Sequence, residues 1–505
     1  MSYPESRIPD PGQSGPLPCL PRGKAPVSPP SEGGAGGWVA VLPGIRNSGS
    51  GRGRKGVALL IVLWLMAILT LLMYAFLADM QVEYAVSNGY ADARKADQLA
   101  WSAIDLGCAT VLSDTQKWQS LTDTTWADNP VYYYEYPLGD GAFTLFRPTY
   151  DDTQKVLWGM DDEASKINLN TAPREILLRL PRMTEQIVDA ILDWRDADST
   201  QGANGAESAY YNGLTPPYNC KNQPFETLEE LLYVRGITPE ILFGEDFNLN
   251  GTLEPNENDG DQSWPPDNRD GRLDPGLWQL CTVWSADQNL DAEGRARANL
   301  NTAQPDALQQ AGLQPGEIQM ITAQRQAIPF LSIAQTLGAP AQGIPAALTA
   351  ERFKLVADRI SVNDDRRVPG LVNINTAPKQ VLLVLPGITE EIALKIMEYR
   401  TTPGNELSNM GWLLNVVEPA VLQGIAPFIT CRSHQFRIHA VGRVGTAYDS
   451  GASTSDVQER PGAFRRMVAV FDKIAEPQPR LVYWKDQTKL GMPYDPQDGP
   501  TPDRR

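Results

Sequence analysis

Hydrophobic and polar positions follow several distinct patterns along this chain of 505 residues. From Val57 to Ala78 no charged residue interrupts VALLIVLWLMAILTLLMYAFLA. A helix rises about 1.5 Å per residue, so this run is long enough to cross a hydrocarbon layer of about 30 Å. It has no polar face of the kind a soluble amphipathic helix needs. No small-x-small cleavage site of a secretory signal closes it. Arg52, Arg54 and Lys55 precede the run, and Asp79 and Glu83 follow it. That asymmetry predicts a cytoplasmic N-terminus, with everything from about residue 79 on the far side of the membrane.

The helical pattern is expected to continue to about residue 115. Ala85, Gly89, Ala93, Ala96, Ala100, Ala103 and Gly107 recur at steps of three and four, which places small residues on one helix face. Small side chains admit a close neighbour, either another membrane helix or the domain's own sheet. The pattern then changes to period two. Val131–Leu138 and Gly141–Pro148 are aromatic and β-branched around Gly139-Asp140, and predict a hairpin. Gln435–Gly445, Phe464–Ile474 and Arg480–Gln487 predict three more strands, with a polar loop Thr446–Gly462 between the first two.

Between these strand groups the period is helical and a phrase repeats. KINLNTAPREILLRLP (166–181), RANLNTAQPDALQQAG (297–312) and LVNINTAPKQVLLVLPGI (371–388) share it. Thr171 or Thr376 is expected to cap a helix that Pro173 or Pro378 begins. Thr184–Asp196 and Thr389–Arg400 then supply second helices across short turns. PFETLEELLYVRGITPEIL (224–242) and PFLSIAQTLG (329–338) repeat further helical pieces. The fold class read from this order is α+β: a long N-terminal transmembrane helix, an antiparallel sheet, and a large inserted α-helical domain with helix-hairpin-helix-like units. The divisions are a leader over 1–56, a membrane helix over 57–78, a sheet domain from 116–160 and 429–490, an insertion over 161–428, and a tail over 491–505.

Charge narrows the function. The net charge is −17. Residues 1–56 hold seven basic and three acidic residues, so the rest carries 37 basic against 58 acidic. A body so acidic repels nucleic acid and suits cations or basic partners. The first 50 residues, rich in Pro, Gly and Ser, have no hydrophobic period and read as disordered. Cys19, Cys108, Cys220, Cys281 and Cys431 have no CxxC spacing, and no disulfide is dictated, Cys220–Cys281 included. There is no G-x-S-x-G, HExxH or Walker A pattern, and His434 and His439 are the only histidines, so no enzyme activity is expected.

The sharpest chemical motif is DFNLNGTLEPNE, 246–257, which fits D-x-[DN]-x-[DN]-G-x5-E. Asp246, Asn248 and Asn250 offer side-chain oxygens, Gly251 the sharp turn, Thr252 its carbonyl, Glu254 a ligand through water, and Glu257 a bidentate carboxylate. Calcium, which takes 6–8 oxygens, is the expected ion. Pro255 departs from the usual helix start after such a loop. A second acidic cluster extends this region over 244–276, with Asp267, Asp270 and Asp274 as further candidate ligands. DQNLDAEG from Asp287 is a weaker candidate.

The run after Gly56 resembles a type IV pilin-like prepilin, which a membrane peptidase cuts after that glycine. The resemblance implies cleavage and N-methylation at Gly56–Val57. Most pilins carry Glu at the fifth mature position, where this chain has Ile61. A Glu there is expensive unless a neighbouring subunit pairs with it. Its loss, ALLIVLWLMAIL, DEASKINLNTA and ILDWRD together resemble the minor pseudopilin K family of type II secretion, over most of residues 51–475. That family implies a single-pass inner-membrane subunit with a periplasmic domain, at the pseudopilus tip, initiating or capping assembly for export across the outer membrane. It implies I- and J-type minor pseudopilins, a prepilin peptidase and inner-membrane secretion components as partners, and adds support for calcium. The alternative is a membrane-anchored, competence-like DNA-binding protein. It needs a basic face near Arg366, Arg367 and Lys379, and the hairpins lack the second Gly that would bring amides to a phosphate. An adhesion or scaffold protein with a calcium module is a third class.

Overall fold

The computed structural model describes residues 55–114, 119–151, 156–338, 343–444 and 462–495. The leader up to residue 54, almost all of the expected loop Thr446–Gly462 and residues 496–505 of the expected tail lie outside them. Residues 491–495 of that tail are instead part of the fold, because Asn250 donates to the Pro493 carbonyl and the Tyr494 hydroxyl bonds to Glu135 and Thr144. The chain divides into two units, 1–77 and 78–505. Helix α1, Lys55–Ser113, supplies the described part of the first unit and begins the second. In the first unit its side chains from Leu59 to Leu77 are exposed, Ile61 among them. The helix passes by length and composition as a membrane span, with a mean hydropathy of 2.6. Thr70 donates its hydroxyl to the Met66 carbonyl, 2.7 Å away, which satisfies it without an outside partner.

The second unit is built on a six-stranded antiparallel sheet. Its strands are β1 (Tyr136–Leu138), β2 (Gly141–Phe146), β3 (Asp161–Asp162), β4 (Gln435–Val444), β5 (Ala463–Asp472) and β6 (Arg480–Asp486). The order is β1-β2-β4-β5-β6, and β3 also pairs with β4. The first half of the expected hairpin differs from its sequence reading. Pro130–Tyr133 is a helical turn, because Pro130 starts it comfortably at the first helical position. Glu135 then takes a φ of 45°, and strand pairing begins only at Tyr136.

Helix α1 lies on central strand β4. Ala96, Ala100 and Ala103 are fully buried, whereas Ala85 and Gly89 are exposed. The lower half of the small-residue stripe therefore packs on the protein's own sheet. Gly442 on β4 makes the approach possible, since a Cβ there would stand 2.1 Å from the Ala96 carbonyl oxygen.

Between β3 and β4 the chain folds into three modules on one plan. Each opens with an Asn-x-Asn-Thr-Ala segment whose first residues pair, in parallel, with a strand that closes the module. The pairs are Ile167–Asn168 with Cys281–Thr282, Ala298–Asn299 with Ile360–Ser361, and Val372–Asn373 with Ile429–Thr430. Parallel pairing requires a crossover, and helices supply it. The leading helix pairs are α2 (Arg174–Leu177) with α3 (Glu185–Arg195), α4 (Pro305–Gln310) with α5 (Pro315–Ala327), and α6 (Lys379–Val384) with α7 (Glu390–Thr401). A 3-10 turn and another helix follow in every module.

The repeated phrase has a mechanical reason. Asn170, Asn301 and Asn375 each donate an amide to two carbonyls: Phe225 and Val283, Phe330 and Val362, Leu407 and Cys431. Each side chain thus ties the opening strand to the module's interior and to its closing strand. The last turn of each second helix adds an arginine. Arg195 reaches the Ala172 carbonyl at 2.7 Å, Arg325 the Ala303 carbonyl at 2.8 Å, and Arg400 the Ile374 carbonyl at 3.0 Å. The expected caps shift by one helix. Pro173 and Pro378 themselves occupy the cap position, so Thr171 and Thr376 do not cap. Thr184 and Thr389 cap α3 and α7, accepting from Ile187 N and Ile392 N at 3.3 Å.

Candidate functional site

The acidic loop is an insertion in the first module, between helix Pro239–Phe243 and strand Cys281–Thr282. Its oxygens are organised by its own amides. Asp246 accepts from Asn250 N at 3.1 Å and Gly251 N at 2.9 Å. Asn248 accepts from Asn250 N at 3.1 Å, and Asn250 from Thr252 N at 2.7 Å. Glu257 closes the loop, accepting from Phe247 N at 2.8 Å and Glu254 N at 3.1 Å. Glu254 accepts from both asparagine amides. Leu249 and Gly251 carry φ of 56° and 74°, which turn the chain at the Asn-Gly step. Pro255 starts a 3-10 turn, Pro255–Glu257, so that no regular helix follows the loop.

Burial makes this loop electrostatically uncomfortable. Asp246 and Glu257 are 0% and 1% exposed. Burial, and then repulsion from Asp246, push the Glu257 carboxyl up to about 8. Burial also raises Asp246, against hydrogen bonds from Tyr150 and the loop amides. Two buried carboxylates with two amide oxygens, a carbonyl and Glu254 fit a hard divalent cation, which would relieve their repulsion. Among the described residues no three His, Cys, Asp or Glu side chains form a metal-holding group. Any ion here therefore rests on Asn248, Asn250 and the Thr252 carbonyl as much as on acids. The Thr252 hydroxyl is buried without a hydrogen bond.

The neighbouring acidic segment is arranged differently. Asp267 accepts from Asp259 N, Gly260 N and Arg269 N. Its carboxyl is held below the usual range, because those donors and the Arg269 charge outweigh desolvation. Arg269 donates to the Asp259 carbonyl, and its guanidinium covers Gly260. Asp270 accepts from Arg272 N and Asp274 from the Asn268 amide. The Arg269 charge already favours the Asp267 carboxylate. Asp274 bonds through its backbone to Glu245, one residue before the loop, while its carboxylate accepts from Asn268. Asp287 is engaged by Thr430 and His434, and Asp291 by Arg295; DQNLDAEG begins in a strand, Ala286–Gln288, paired with Arg367–Pro369 and ends in a turn.

Three contacts that sequence reading missed lock the loop to the sheet domain. The Tyr150 hydroxyl donates to Asp246 at 2.7 Å. Fully buried Arg466 on β5 donates to the Leu249 carbonyl at 3.0 Å. Asn250 donates to the Pro493 carbonyl at 3.1 Å. The third module has its own lock in Asp162 on β3, which accepts from Thr376, Ser433 and Asn373. An arginine inside the pattern FRRMVAVFD was a legible oddity, whereas nothing in the local sequence marked Tyr150 or Pro493.

The remaining predicted residues are placed as follows. Gly56 and Val57 lie in the first turns of α1, and Ile61 just after them. Each basic residue of the face a DNA-binding reading requires has an acid beside it. Arg366 lies 3.9 Å from Glu476, Arg367 pairs with Asp472 at 2.7 Å, and Lys379 pairs with Glu390 at 2.6 Å. Cys108, Cys220, Cys281 and Cys431 are free thiols. His439 is buried, and His434 approaches Asp287 at 3.1 Å.

A family model described as type II secretion system protein K matches residues 168–243, within the first module. One described as a helix-hairpin-helix motif matches 370–430, the third module. Type II secretion system protein K of Aeromonas hydrophila is 27% identical over 205 residues, 38% of this chain and 61% of the relative. The Klebsiella pneumoniae protein of the same name is 26% identical over 309 residues, 57% of this chain and 80% of the relative. The first of these relatives are each spanned over about three fifths of their length. A crystal structure of the GspK-GspI-GspJ complex from enterotoxigenic Escherichia coli aligns at TM-score 0.37 and 13% identity, over 81% of this chain and 98% of that chain. The family signature lies on the helices of the first module and the relatives carry the same name, so over these stretches the chain is similar to type II secretion system protein K.

Proposed function

We propose that this protein is a minor pseudopilin of a type II secretion system, anchored in the inner membrane by α1 with its second unit in the periplasm. The observation that carries the reading is Ile61 in an apolar helix that follows Gly56, on a chain similar to type II secretion system protein K. In this reading a prepilin peptidase cuts between Gly56 and Val57, and the new N-terminus is methylated. Without an acid at Ile61 the subunit makes no charged contact to a subunit above it. The three-module insertion adds bulk beyond a pilin sheet and blocks further stacking. Both features suit the pseudopilus tip, where the protein would initiate or cap assembly with I- and J-type minor pseudopilins and meet the inner-membrane secretion components.

Calcium belongs to the same proposal. Asp246, Asn248, Asn250, the Thr252 carbonyl and Glu257 would hold it, with Glu254 acting through water. When bound, it supplies positive charge that orders the loop against the sheet. The deciding experiment is co-expression with a prepilin peptidase and mass spectrometry of the mature N-terminus. A chain beginning at N-methylated Val57 is expected, together with co-purification of I- and J-type subunits. A chain that keeps residues 1–56 and assembles with neither would overturn the reading.

A further inference from the structure

A cavity of about 290 Å³ separates the sheet from the first and third modules. Its polar lining comes from β4, through Arg437 and His439, from Arg147 just beyond β2, and from Asp161, Lys166 and Gln279. Arg437 and His439 are 2% and 3% exposed. Arg437 Nη2, His439 Nδ1 and Arg147 Nε are nevertheless buried without hydrogen bonds. The acids around the cavity are already engaged. Asp161 holds Lys166 at 2.5 Å, Glu163 holds Arg437 and the Thr282 hydroxyl, and Asp151 accepts from Lys379 N. The Arg147 side chain has no ion pair among the described residues. Burial lowers its affinity for its proton, and nearby Asp161, Asp128, Asp162 and Asp151 offset that only from a distance.

Arg147 is half-buried, and leaving its buried Nε and two further buried nitrogens unpartnered is costly, a cost that an acceptor in the cavity would relieve. A guanidinium matches the paired oxygens of a carboxylate or phosphate. Burial and the charges of Arg437, Arg466 and Lys166 keep His439 neutral, so one ring nitrogen can present a proton to such an oxygen.

We propose that this cavity binds a small oxyanion, with Arg147 as its principal charge partner and Arg437 and His439 as donors to its oxygens. The inference does not depend on the secretion role. The shared chemistry is an anion with two or more oxygens, supplied free in solution as a phosphate or as a carboxylate.

The full chain in detergent, kept free of calcium, is titrated with inorganic phosphate and separately with acetate, and followed by calorimetry and thermal unfolding. One or both should bind, and raise Tm by about 2–4 °C at a hundredfold excess over Kd. Phosphate alone doing so identifies a tetrahedral anion, and acetate alone a carboxylate. Arg147→Met should lose the response without losing basal stability. Should that variant fail to fold, Arg147→Lys keeps the charge without the fork, and should weaken binding at least tenfold. No saturable heat and no Tm shift with either anion on the wild-type chain would leave a water-filled cavity and overturn the proposal. An undiminished response in either Arg147 variant would overturn it as well.

Discussion

Asp162 makes the stability of this protein depend on pH in a direction opposite to that of an ordinary carboxylate. It is 2% exposed, and it joins strand β3 of the sheet to the third module. One oxygen accepts from Ala164 N at 2.8 Å. The other accepts from the Thr376 and Ser433 hydroxyls at 2.5 Å each, and from the Asn373 amide at 3.1 Å. Burial, only partly countered by those donors, pushes its carboxyl from 3.8 to about 6. The folded state therefore binds a proton more tightly than the unfolded chain does. The stabilisation is fully present below the unfolded value and is lost as pH rises through about 6. Two pH units at about 1.4 kcal/mol each make the loss about 3 kcal/mol between pH 4 and 7. Asp162→Asn removes the titrating group; the two hydroxyls can rotate to accept from its amide, while the Asn373 amide loses this acceptor and keeps the Ser433 hydroxyl. Its contribution to the pH slope should vanish, and its stability at neutral pH should match or exceed that of the native chain. Asp162→Ala strands four donors and should cost about 2–4 kcal/mol at every pH. The measurement is denaturant unfolding of the detergent-purified chain, followed by tryptophan fluorescence, at intervals across that pH range. If the asparagine variant keeps the native slope, Asp162 is not the group responsible and the reasoning fails.

The calcium proposal predicts that adding the ion raises Tm and slows proteolysis within 246–274, that a chelator reverses both, and that Asp246→Asn abolishes the difference, as calorimetry with and without the ion will show. Because Glu257 sits near 8, binding at neutral pH should displace about one proton, and affinity should rise with pH up to that value, as titrations in buffers of different ionisation enthalpy will reveal. Gly442→Ala puts a methyl 2.1 Å from the Ala96 carbonyl and 2.4 Å from Ala100 N, so α1 must lift from β4 at a cost of about 1–3 kcal/mol in unfolding experiments. Thr389→Ala removes the α7 cap and should cost about 1 kcal/mol, an effect confined in hydrogen exchange to the third module.

Much of this was legible in the sequence, for physical reasons. The membrane run, the strands β2, β4, β5 and β6 and the small-residue face of α1 are period signals, and they emerge where the period places them. The three Asn-Thr-Ala phrases were legible as repeats, but their meaning was not. The second asparagine serves as a strand clamp, and its partners lie 29 to 113 residues away, as with Phe330 for Asn301 and Val283 for Asn170. Local propensity carries no trace of such partners. The caps failed for a local reason: Pro173 and Pro378 take the cap position themselves, which frees Thr376 to reach Asp162. In the candidate site the ligand spacing was readable because the turn is local. The locks through Tyr150, Arg466 and Pro493 were not, because the sheet that brings them together assembles only in three dimensions.

The three modules share one internal device but attach to the sheet differently. The first is held by Tyr150 and Arg466 on its inserted loop, and by Tyr483 on Glu229 at 2.7 Å. The third is held by Asp162. The middle module bonds instead to the third, through Lys354 to Asn415 at 2.8 Å and Gln423 to the Gly338 carbonyl at 2.5 Å. Among the described residues, no hydrogen bond or ion pair joins residues 298–361 to the six strands. Arg325→Ala should therefore loosen the middle module, with hydrogen exchange accelerated there and unchanged in the sheet. Arg466→Ala removes the donor to Leu249 and should expose both the acidic loop and β5. Equal spread from the two substitutions would mean that the modules act as one cooperative block, and the acidic loop could not then be a separate fastening of the insertion to the sheet.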